Sequence, residues 1–519
     1  MDGLVSRIVV IGGGTAGWLA ASLIAARANP AASAPLTVTL VESPDIPTIG
    51  VGEGTWPTMR GTLQSIGVRE ADFLLACDAS FKQGSRFEGW RTGAADDAYL
   101  HPFTPPPAIH PRDLVHGWQA YRAGLSFASA VSAQARICGL GLAPRQRAMP
   151  EYAGALNYAY HLDAGKFATF LARHATDRLG VQHIRDHVVA VDRAEDGDIR
   201  AVRTAANGAV AGDLFIDCTG HSALLIGDTL GVPFLDRSDV LFNDRALAVQ
   251  VPVAPDSPVA AQTNATAHTA GWIWDIGLPT RRGIGCVYSS RHLSDDDAAA
   301  TLSKYLQDKQ LAGAGDLPFR RLTFRSGHRE RFWARNCLAV GLSAGFLEPL
   351  EASAIVLVEL SVGALLDGFP RTRATMDLHA ARFNALFRYR WDRIVEFLKL
   401  HYILSERDEP YWRDHRNADS VPERLRELLQ IWEDQPPSQS DLPHADEIFP
   451  AASYQYVLYG MGFAPPAPGP LREKASDEAA AAFASVEQRG RALAASLPSG
   501  RSYLDALRAA SPPLREQIN

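Results

Sequence analysis

The sequence predicts an α/β protein built on a doubly wound parallel sheet of the kind that binds dinucleotides. Residues 8–11 are a short run of β-branched apolar residues, which indicates a buried parallel strand. Gly12, Gly14 and Gly17 follow it with the spacing G-x-G-x-x-G, and the segment after them favours a helix. A second apolar strand then ends at Glu42. A strand, a glycine turn, a helix and an acidic strand end in this order predict a dinucleotide-binding module.

Each glycine of this turn has a physical reason to be there. Gly12 lacks a side chain and can turn sharply after the strand, while Gly17 lets the helix pack closely on that strand. Gly14 lets a pyrophosphate approach the backbone, and the helix N-terminus then faces the phosphates. Glu42 is placed to accept hydrogen bonds from the hydroxyls of an adenosine ribose. A glycine-rich surface turn is the alternative, but the order of the elements favours the dinucleotide site.

Size and composition limit the classes of function. The chain of 519 residues is several times longer than the common domain of ~100 to 150 residues, so we expect two or more folding units. Hydrophobic residues make up 46% and charged residues 21%, which argues against general disorder. The net charge of -7 is spread along the chain, with no basic stripe for nucleic acid and no polybasic segment for a membrane. We therefore expect neither nucleic acid nor membrane as a partner.

The cysteines and the N-terminus indicate a cellular location. The five cysteines are scattered without the spacing of metal ligands, so we expect reduced core thiols and no metal site. No apolar run reaches the ~18 residues that a membrane span requires, and the N-terminus shows no signal-peptide pattern. These features predict a cytoplasmic protein.

Two irregular segments follow the second strand. Residues 43–57 form a loop that is too long and too apolar for a plain surface turn, which favours a strap lying over a cofactor. A helix is predicted over 58–75. Residues 101–150 are rich in proline, glycine and aromatic residues, and they favour loops and short helices that build the wall of a pocket.

Lys82 lies between Phe81 and Phe87, just before a strand-like segment. Taken alone, a lysine is more often a solvated surface charge than a catalytic group, so this pattern leaves both interpretations open. Trp272 and Trp274 alternate with period two and share one face of a strand. Such a stripe is usually core, and lining of a site is the alternative.

Further elements follow from periodicity. A helix is predicted from 158 to 179, and residues 336–355 predict a strand, a glycine-containing turn and a helix that starts near Glu348 and Glu351. Helix N-termini bind anions, although carboxylates there are also ordinary caps. From residue 375 onward the pattern is helical, with a final helix ending near 497.

Several motifs together resemble those of the flavin-dependent halogenases of the tryptophan halogenase family, and the resemblance covers nearly the whole chain. The matching stretches are residues 12–18, 48–55, 81–82 with 86–87, 272–276, 345–353 and 400–402. The Trp-x-Trp-x-Ile element and the lysine-bearing segment are the most specific of these. They make Lys82 the expected catalytic lysine, and a lysine among aromatic rings would be desolvated, which favours the neutral amine.

The resemblance implies an architecture and a reaction. A flavin-monooxygenase-type module with an inserted β-sheet would occupy 1–375, with substrate-side insertions at about 80–155 and 240–320, and a mostly helical part, 376–519, would cover the substrate. A separate NAD(P)H-dependent reductase would supply FADH2, which forms a C4a-hydroperoxide with O2. Chloride or bromide would attack the distal oxygen of this hydroperoxide. Lys82 would guide the resulting hypohalous acid, or become a haloamine, next to an electron-rich aromatic carbon.

The resemblance also implies residue roles. Lys82 and Glu351 would be catalytic, with Glu351 orienting the oxidant or accepting the proton lost from the ring. The backbone N–H groups of Ser353 and Ala354 would hold the halide. The expected flavin contacts are Gly12, Gly14, Thr15, Ala16, Gly17, Glu42, Ile49, Gly50, Val51, Gly52, Glu53, Gly341, Leu350 and Ile355. The expected substrate and tunnel residues are His101, Phe103, Trp272, Trp274, Ile276 and Tyr454.

Two positions depart from the family's pattern. Gly277 stands where proline normally closes the tryptophan motif, and Ala354 stands where glycine is common. Gly277 would loosen a wall thought to keep the substrate away from the flavin. The sequence does not reveal the substrate, the regiochemistry, the preferred halide or the oligomeric state, for which a homodimer is one candidate. Indole-type rings, free tryptophan included, and phenols are the candidates. The alternative activity is a flavin-dependent aromatic monooxygenase that oxidises NAD(P)H by itself, and the non-enzymatic alternative is a flavin-binding module.

Overall fold

The computed structural model describes residues 3–32, 35–46, 53–122, 124–311, 317–467 and 477–510. The chain divides into two compact units, each assembled from three separate segments. Unit 1 comprises Met1–Cys77, Asp163–Leu241 and Phe324–Asp392, and unit 2 comprises Asp78–Leu162, Phe242–Thr323 and Arg393–Asn519. The predicted division between residues 375 and 376 stays a prediction.

The strands, in chain order, are β1 (Arg7–Ile11), β2 (Thr37–Glu42), β3 (Glu53–Gly54), β4 (Ser80–Lys82), β5 (Gly84–Glu88), β6 (Ala98–Pro102), β7 (Ala159–Leu162), β8 (Gln182–Arg185), β9 (Val188–Arg193), β10 (Ile199–Thr204), β11 (Gly208–Ala211), β12 (Leu214–Asp217), β13 (Phe234–Asp236), β14 (Arg245–Pro252), β15 (Thr263–His268), β16 (Gly271–Gly277), β17 (Arg281–Tyr288), β18 (Arg320–Thr323), β19 (Gly327–Arg329), β20 (Trp333–Ala334), β21 (Cys337–Ala339) and β22 (Gly345–Phe346). The α-helices are α1 (Thr15–Ala26), α2 (Thr58–Ser65), α3 (Glu70–Ala76), α4 (Pro111–Arg122), α5 (Phe127–Val131), α6 (Ala133–Gly139), α7 (Ala164–Leu179), α8 (Asp295–Asp308), α9 (Ser353–Asp367), α10 (Arg373–Ile403), α11 (Pro410–His415), α12 (Glu423–Asp434), α13 (Ala451–Gly460), α14 (Asp477–Ser496) and α15 (Gly500–Ala510).

Unit 1 holds the predicted parallel sheet, with the strand order β20-β21-β12-β1-β2-β8. All neighbouring strands in it are parallel except β20, which adds an antiparallel edge. The apolar residues of β1 are at most 3% exposed, as expected for a strand of a sheet that is covered on both faces. The N–H of Gly12 donates to the carbonyl of Val41 at 2.9 Å, so the carboxyl ends of β1 and β2 lie side by side. Ligands of doubly wound sheets bind at this edge.

Unit 2 holds the inserted β-sheet, with the strand order β18-β14-β17-β16-β15-β5-β6. Its neighbours are antiparallel except for β15 and β5, which run parallel. One face packs against α8 through a core that includes Ile273, Cys286 and Leu302. Because side chains alternate along a strand, the two neighbours of Ile273 in β16 point to the opposite face.

The predicted fold class is confirmed, including the helical C-terminal part, but three predicted boundaries are wrong. The helix predicted over 58–75 is two helices, α2 and α3, separated near Gly67, whose φ of +76° is a conformation that glycine adopts without strain. Residues 159–162 form β7 because they pair with β4, and α7 begins only after Asp163, whose side chain caps it by accepting the N–H of Lys166. A further helix, α15, follows the one predicted to be last.

The five cysteines are buried and free, as predicted. Across the described ranges, no helix has the length and apolar character to cross a bilayer. Among the same residues, no group of three or more His, Cys, Asp or Glu side chains is arranged to hold a metal ion.

Candidate active site

The three glycines after β1 differ in what surrounds them. Gly12 has a φ of +109°, and a Cβ there would lie 2.2 Å from the carbonyl oxygen of Cys218. A Cβ on Gly17 would lie 1.8 Å from the carbonyl oxygen of Gly12, because α1 touches the turn. A Cβ on Gly14, in contrast, would meet no described atom within 4 Å. Gly12 and Gly17 are therefore needed for packing, whereas the space beside Gly14 is open to a ligand.

Two polar side chains lie at this turn. Thr15 begins α1, and its hydroxyl oxygen is buried with no hydrogen-bond partner in the described part of the chain. The Glu42 side chain lies over Gly13, since a Cβ there would be 2.2 Å from its Cδ. The Nε2 of His183 holds this carboxylate at 2.9 Å. An unsatisfied buried hydroxyl and a carboxylate at the strand end fit the phosphates and ribose of a dinucleotide.

Gly341 approaches the same helix from β21. It has a φ of +74°, and a Cβ there would lie 2.7 Å from the Cβ of Ala16. Between these elements, the fully buried carboxylate of Asp217 accepts the N–H groups of Leu225 and Ile226, both at 2.8 Å. Asp217 lies at the end of β12. Its role in ordering the turn after β12 depends on backbone geometry that no local pattern indicates.

The remaining predicted flavin residues belong to two parts of the chain, residues 49–53 and residues 350–355. Ile49, Gly50, Val51 and Gly52 lie outside the described residues. Glu53 follows them in β3, and burial raises the pKa of its carboxyl to about 7. Leu350 and Ile355 are buried before and after the Glu351 turn. Their contacts with a flavin stay predictions.

Glu351 lies in an unusual turn directly before α9. Its φ is +63° and that of Ala352 is +55°, and such left-handed conformations cost about 1 kcal/mol or more for each residue with a side chain. The helix then begins at Ser353, so Ser353 and Ala354 have N–H groups without a partner within the helix. The turn thus places a buried carboxylate directly before backbone hydrogen-bond donors.

Lys82 ends β4 and is only 1% exposed, which excludes a surface charge. β4 pairs antiparallel with β7, and Lys82 lies opposite Ala159. The Nζ atom is 5.5 Å from the centre of the Phe103 ring. Phe81 points to the other face of this strand pair, where its ring centre is 5.3 Å from that of Tyr158. Aromatic residues therefore surround the lysine strand on both faces.

Strand register places the aromatic residues of unit 2 in one row. Trp274 lies opposite Ala265 on β15, and Ala265 lies opposite Phe87 on β5. Phe87 in turn lies opposite Tyr99 on β6, and these two rings stack with centres 4.7 Å apart. Directly opposite residues project from the same side of a sheet, so the whole row faces away from α8.

The predicted substrate residues share this face. Trp272 and Ile276 lie two positions on either side of Trp274, and the ring centres of the two tryptophans are 6.4 Å apart. His101 lies in β6, two positions after Tyr99, rather than in a loop. The alternation that the sequence indicated is therefore correct, and the sheet brings together residues from separate segments of unit 2.

Helical residues near the C-terminus pack against His101. Its Nε2 lies 2.9 Å from Oγ of Ser453, and its ring centre lies 5.9 Å from that of Phe397. Tyr454 contacts Phe397 edge to face, with ring centres 5.0 Å apart, and burial raises the pKa of the Tyr454 hydroxyl. Tyr454 thus joins this aromatic cluster through Phe397.

Sequence reasoning missed His161. It lies on β7 opposite Ser80, so its side chain shares a face with Ser80 and Lys82. Its Nε2 is 2.8 Å from Oγ1 of Thr263, while its Nδ1 is buried without a partner among the described residues. Burial and, to a lesser degree, the charge of Lys82 lower the pKa of His161 well below its usual range. Only the strand pairing brings this neutral imidazole to the lysine.

Comparisons with known proteins extend over both units. A family model described as tryptophan halogenase matches residues 7–477. The chain is 34% identical to tryptophan 6-halogenase SttH of Streptomyces toxytricini, over 96% of this chain and 98% of that protein. A tryptophan halogenase structure from Shewanella frigidimarina superposes with a TM-score of 0.93 at 46% identity, covering 98% of both chains. A flavin-dependent halogenase structure from Xanthomonas campestris gives a TM-score of 0.85 at 35% identity, covering 97% of this chain and 98% of that one.

Proposed function

This chain belongs to the tryptophan halogenase family and is a flavin-dependent halogenase, and from that premise we propose that it halogenates tryptophan or a related indole with chloride or bromide, using FADH2 and O2. The observation that carries the proposal is the burial of Lys82 in unit 2, whose large sheet gathers Trp272, Trp274 and His101 on one face. A flat, electron-rich ring suits an aromatic wall of this kind. The names of the relatives support tryptophan as the substrate class.

The flavin would be held by the turn after β1. Gly14 leaves room for the pyrophosphate, the Thr15 hydroxyl would donate to it, and Glu42 would accept the ribose hydroxyls. When bound, the reduced flavin supplies the two electrons that, together with O2, turn a halide into an electrophilic halogen species. We further propose that a separate NAD(P)H-dependent reductase provides the reduced flavin.

Lys82 would receive the electrophilic halogen through the lone pair of its amine nitrogen, or hydrogen-bond to hypohalous acid. A buried amine next to the Phe103 ring is shielded from water, so the oxidant is not lost to the solvent. His161 would remain neutral beside it, because burial lowers the pKa of its imidazole. Lys82 thus holds the halogen while the aromatic wall orients the ring.

Glu351 would accept the proton that the reaction releases, and the N-terminus of α9 would bind the halide. Electrophilic substitution replaces a ring hydrogen with halogen, so a proton must be accepted, and the buried Glu351 carboxylate is the proposed acceptor. The N–H groups of Ser353 and Ala354, at the positive end of a 15-residue helix, would bind the halide.

Gly277 is the one position where the wall of the site departs from the family's pattern. Its carbonyl accepts a hydrogen bond from Oγ of Ser80 at 2.6 Å, which ties the end of β16 to the lysine strand. A Cβ at Gly277 would lie 3.0 Å from the backbone nitrogen of Ala260. These contacts support the proposal that the wall keeps its position without the proline.

The experiment is a coupled assay with a flavin reductase, NADH, FAD and either bromide or chloride, using tryptophan and a panel of indoles and phenols, with products identified by mass spectrometry. We expect a monohalogenated indole from the parent and none from Lys82→Ala. Lys304→Ala, which removes an exposed lysine of unit 2, is the matched control and should react like the parent. Equal halogenation by Lys82→Ala would refute the mechanism.

The monooxygenase alternative has a separate signature. A hydroxylase would consume NAD(P)H without the reductase and would give an oxygenated ring in halide-free buffer. If the protein shows both behaviours and no halogenated product, the halogenase assignment of its reaction is wrong.

A further inference from the structure

Trp56 is hydrogen-bonded to the turn that carries Glu351. Its indole Nε1–H donates to the carbonyl oxygen of Glu351 at 2.7 Å, and the two residues are far apart in the sequence of unit 1. The bond is short for an N–H···O contact and engages the backbone carbonyl of Glu351 rather than its carboxylate. Trp56 therefore acts on the conformation of the turn.

The turn needs such a restraint because two successive residues in it are left-handed. Glu351 and Ala352 both have a Cβ, which in this conformation comes too close to the following carbonyl oxygen. The right-handed conformation is more favourable for each of them. Strain of this kind persists only where surrounding contacts determine the backbone, and it concentrates at functional sites.

A backbone hydrogen bond also lies within the turn. The N–H of Ala352 donates to the carbonyl of Pro349 at 3.0 Å, and α9 begins one residue later. If the Glu351 peptide rotated, its side chain would change direction and the first N–H groups of α9 would turn with it. The orientation of the Glu351 carbonyl, which Trp56 holds, thus determines both features.

We propose that Trp56 is a positioning residue for the reaction: its indole N–H holds the Glu351–Ala352 turn left-handed and so aims the Glu351 carboxylate and the N-terminus of α9. This inference rests on the proposed role of Glu351. It predicts that loss of the donor impairs turnover rather than substrate binding, because Trp56 acts through the turn.

The test is Trp56→Phe, which keeps an aromatic ring and removes the donor. We expect kcat for halogenation to fall about 10- to 100-fold, as for a catalytic group displaced by ~1 Å, while KM for the indole changes less than about twofold. Adding Ala352→Gly should restore kcat to within about threefold of the parent, because glycine adopts the left-handed conformation without help. A structural loss elsewhere would not be rescued by a glycine in this turn.

The matched control is Trp333→Phe. Its indole Nε1–H donates at 3.1 Å to the carbonyl of Arg335, which is also a left-handed residue with a side chain in unit 1. This variant removes the same kind of bond away from the Glu351 turn, so we expect lower thermal stability with unchanged kcat. Equal kcat losses in both tryptophan variants would overturn the inference.

Two further variants separate the possible failures. Glu351→Gln should abolish turnover if Glu351 has its proposed role, and normal turnover by this variant would refute that role and with it the inference about Trp56. Absence of a halogenated product from the parent would instead refute the proposed function. If Glu351→Gln is inactive but Trp56→Phe keeps normal kcat, the inference about Trp56 is wrong. If Trp56→Phe does not fold, the double variant with Ala352→Gly should fold and react, and its failure to do so would make Trp56 a packing residue only.

Discussion

The six-membered ring of Trp274 lies directly on Gly285, its partner on the neighbouring strand β17. A Cβ at Gly285 would be 2.1 Å from the Cη2 and Cζ2 atoms of the tryptophan. Since any side chain at 285 would occupy the volume of the ring, this glycine sets the orientation of Trp274. The wall of the proposed substrate site therefore depends on a residue outside the tryptophan motif.

Gly285→Ala should displace the Trp274 ring. Inserting a methyl group into a packed core costs about 1 to 3 kcal/mol, so the free energy of unfolding should fall by that amount. Displacement of the wall should also lower kcat for halogenation about tenfold. Urea unfolding and the coupled assay measure the two effects.

The control for this prediction is Gly139→Ala, at the end of α6 in the same unit, where a Cβ meets no described atom within 4 Å. It should change the free energy of unfolding by less than about 0.5 kcal/mol. If Gly285→Ala is as stable and active as this control, the ring of Trp274 does not depend on Gly285.

Gly14→Ala and Gly17→Ala should separate cofactor binding from folding. A methyl group on Gly17 would collide with the carbonyl of Gly12, so this variant should be strongly destabilised even without FAD. Gly14 has a φ of -74° and open space beside it, so Gly14→Ala should fold like the parent but bind FAD at least about tenfold more weakly. Thermal unfolding without FAD and fluorescence titration with FAD are the measurements. Unchanged FAD affinity of Gly14→Ala would show that the pyrophosphate binds elsewhere.

Because of Glu359, the free energy of unfolding should fall as the pH rises from acidic to neutral values. It is buried on α9 and accepts the Oγ1–H of Thr58 at 3.0 Å, and burial raises the pKa of its carboxyl to about 7 from an ordinary 4.5. The folded state therefore favours the neutral acid. Its contribution is fully present below pH 4.5 and is lost as the pH rises to about 7, by up to about 3 kcal/mol.

Glu359→Gln imitates the neutral acid, so it should match the parent near pH 4.5 and be more stable by up to about 3 kcal/mol at pH 8. Urea unfolding at both values measures this difference. Glu330→Gln, at an exposed position of unit 1, should show no pH-dependent difference from the parent. A constant difference for Glu359→Gln across this range would contradict the raised pKa.

Because of His268, the free energy of unfolding should fall as the pH drops below neutrality, which is the opposite of the effect of Glu359. Burial lowers the pKa of its imidazole from 6.5 to about 4, although its contact with the carbonyl of Val287 opposes this shift. The folded state favours the neutral ring, so this contribution is fully present above pH 6.5. It is lost as the pH falls to about 4, with a slope of about 1.4 kcal/mol per pH unit.

Between pH 6.5 and 4, the free energy of unfolding of His268→Gln should depend on pH less steeply than that of the parent, by the contribution of about one proton. Titration of stability by urea unfolding in steps across this range measures the slope. His110→Gln, at an exposed position of the same unit, should leave the slope as it is in the parent. An unchanged slope for His268→Gln would mean that this imidazole titrates normally.

The sequence by itself determined the features that arise from neighbouring residues. The β1 strand, the glycine turn and α1 follow from local patterns, and so does the alternation of Trp272 and Trp274 in β16. The spacing of apolar residues reflects which face of a helix or strand is buried, so it predicts such elements well. It fails at 159–162, where pairing with β4 makes a strand of a segment that resembled a helix.

The tertiary structure decided which distant residues meet. The approach of His161 to the face of the Lys82 strand and the bond from Trp56 to Glu351 join segments that are far apart in the chain, and the ring of Trp274 meets Gly285 on the neighbouring strand. Strand register and packing create these contacts, and neither leaves a local signal in the residues involved. Local patterns therefore indicated which residues carry the chemistry, whereas only the folded chain shows what holds them in place.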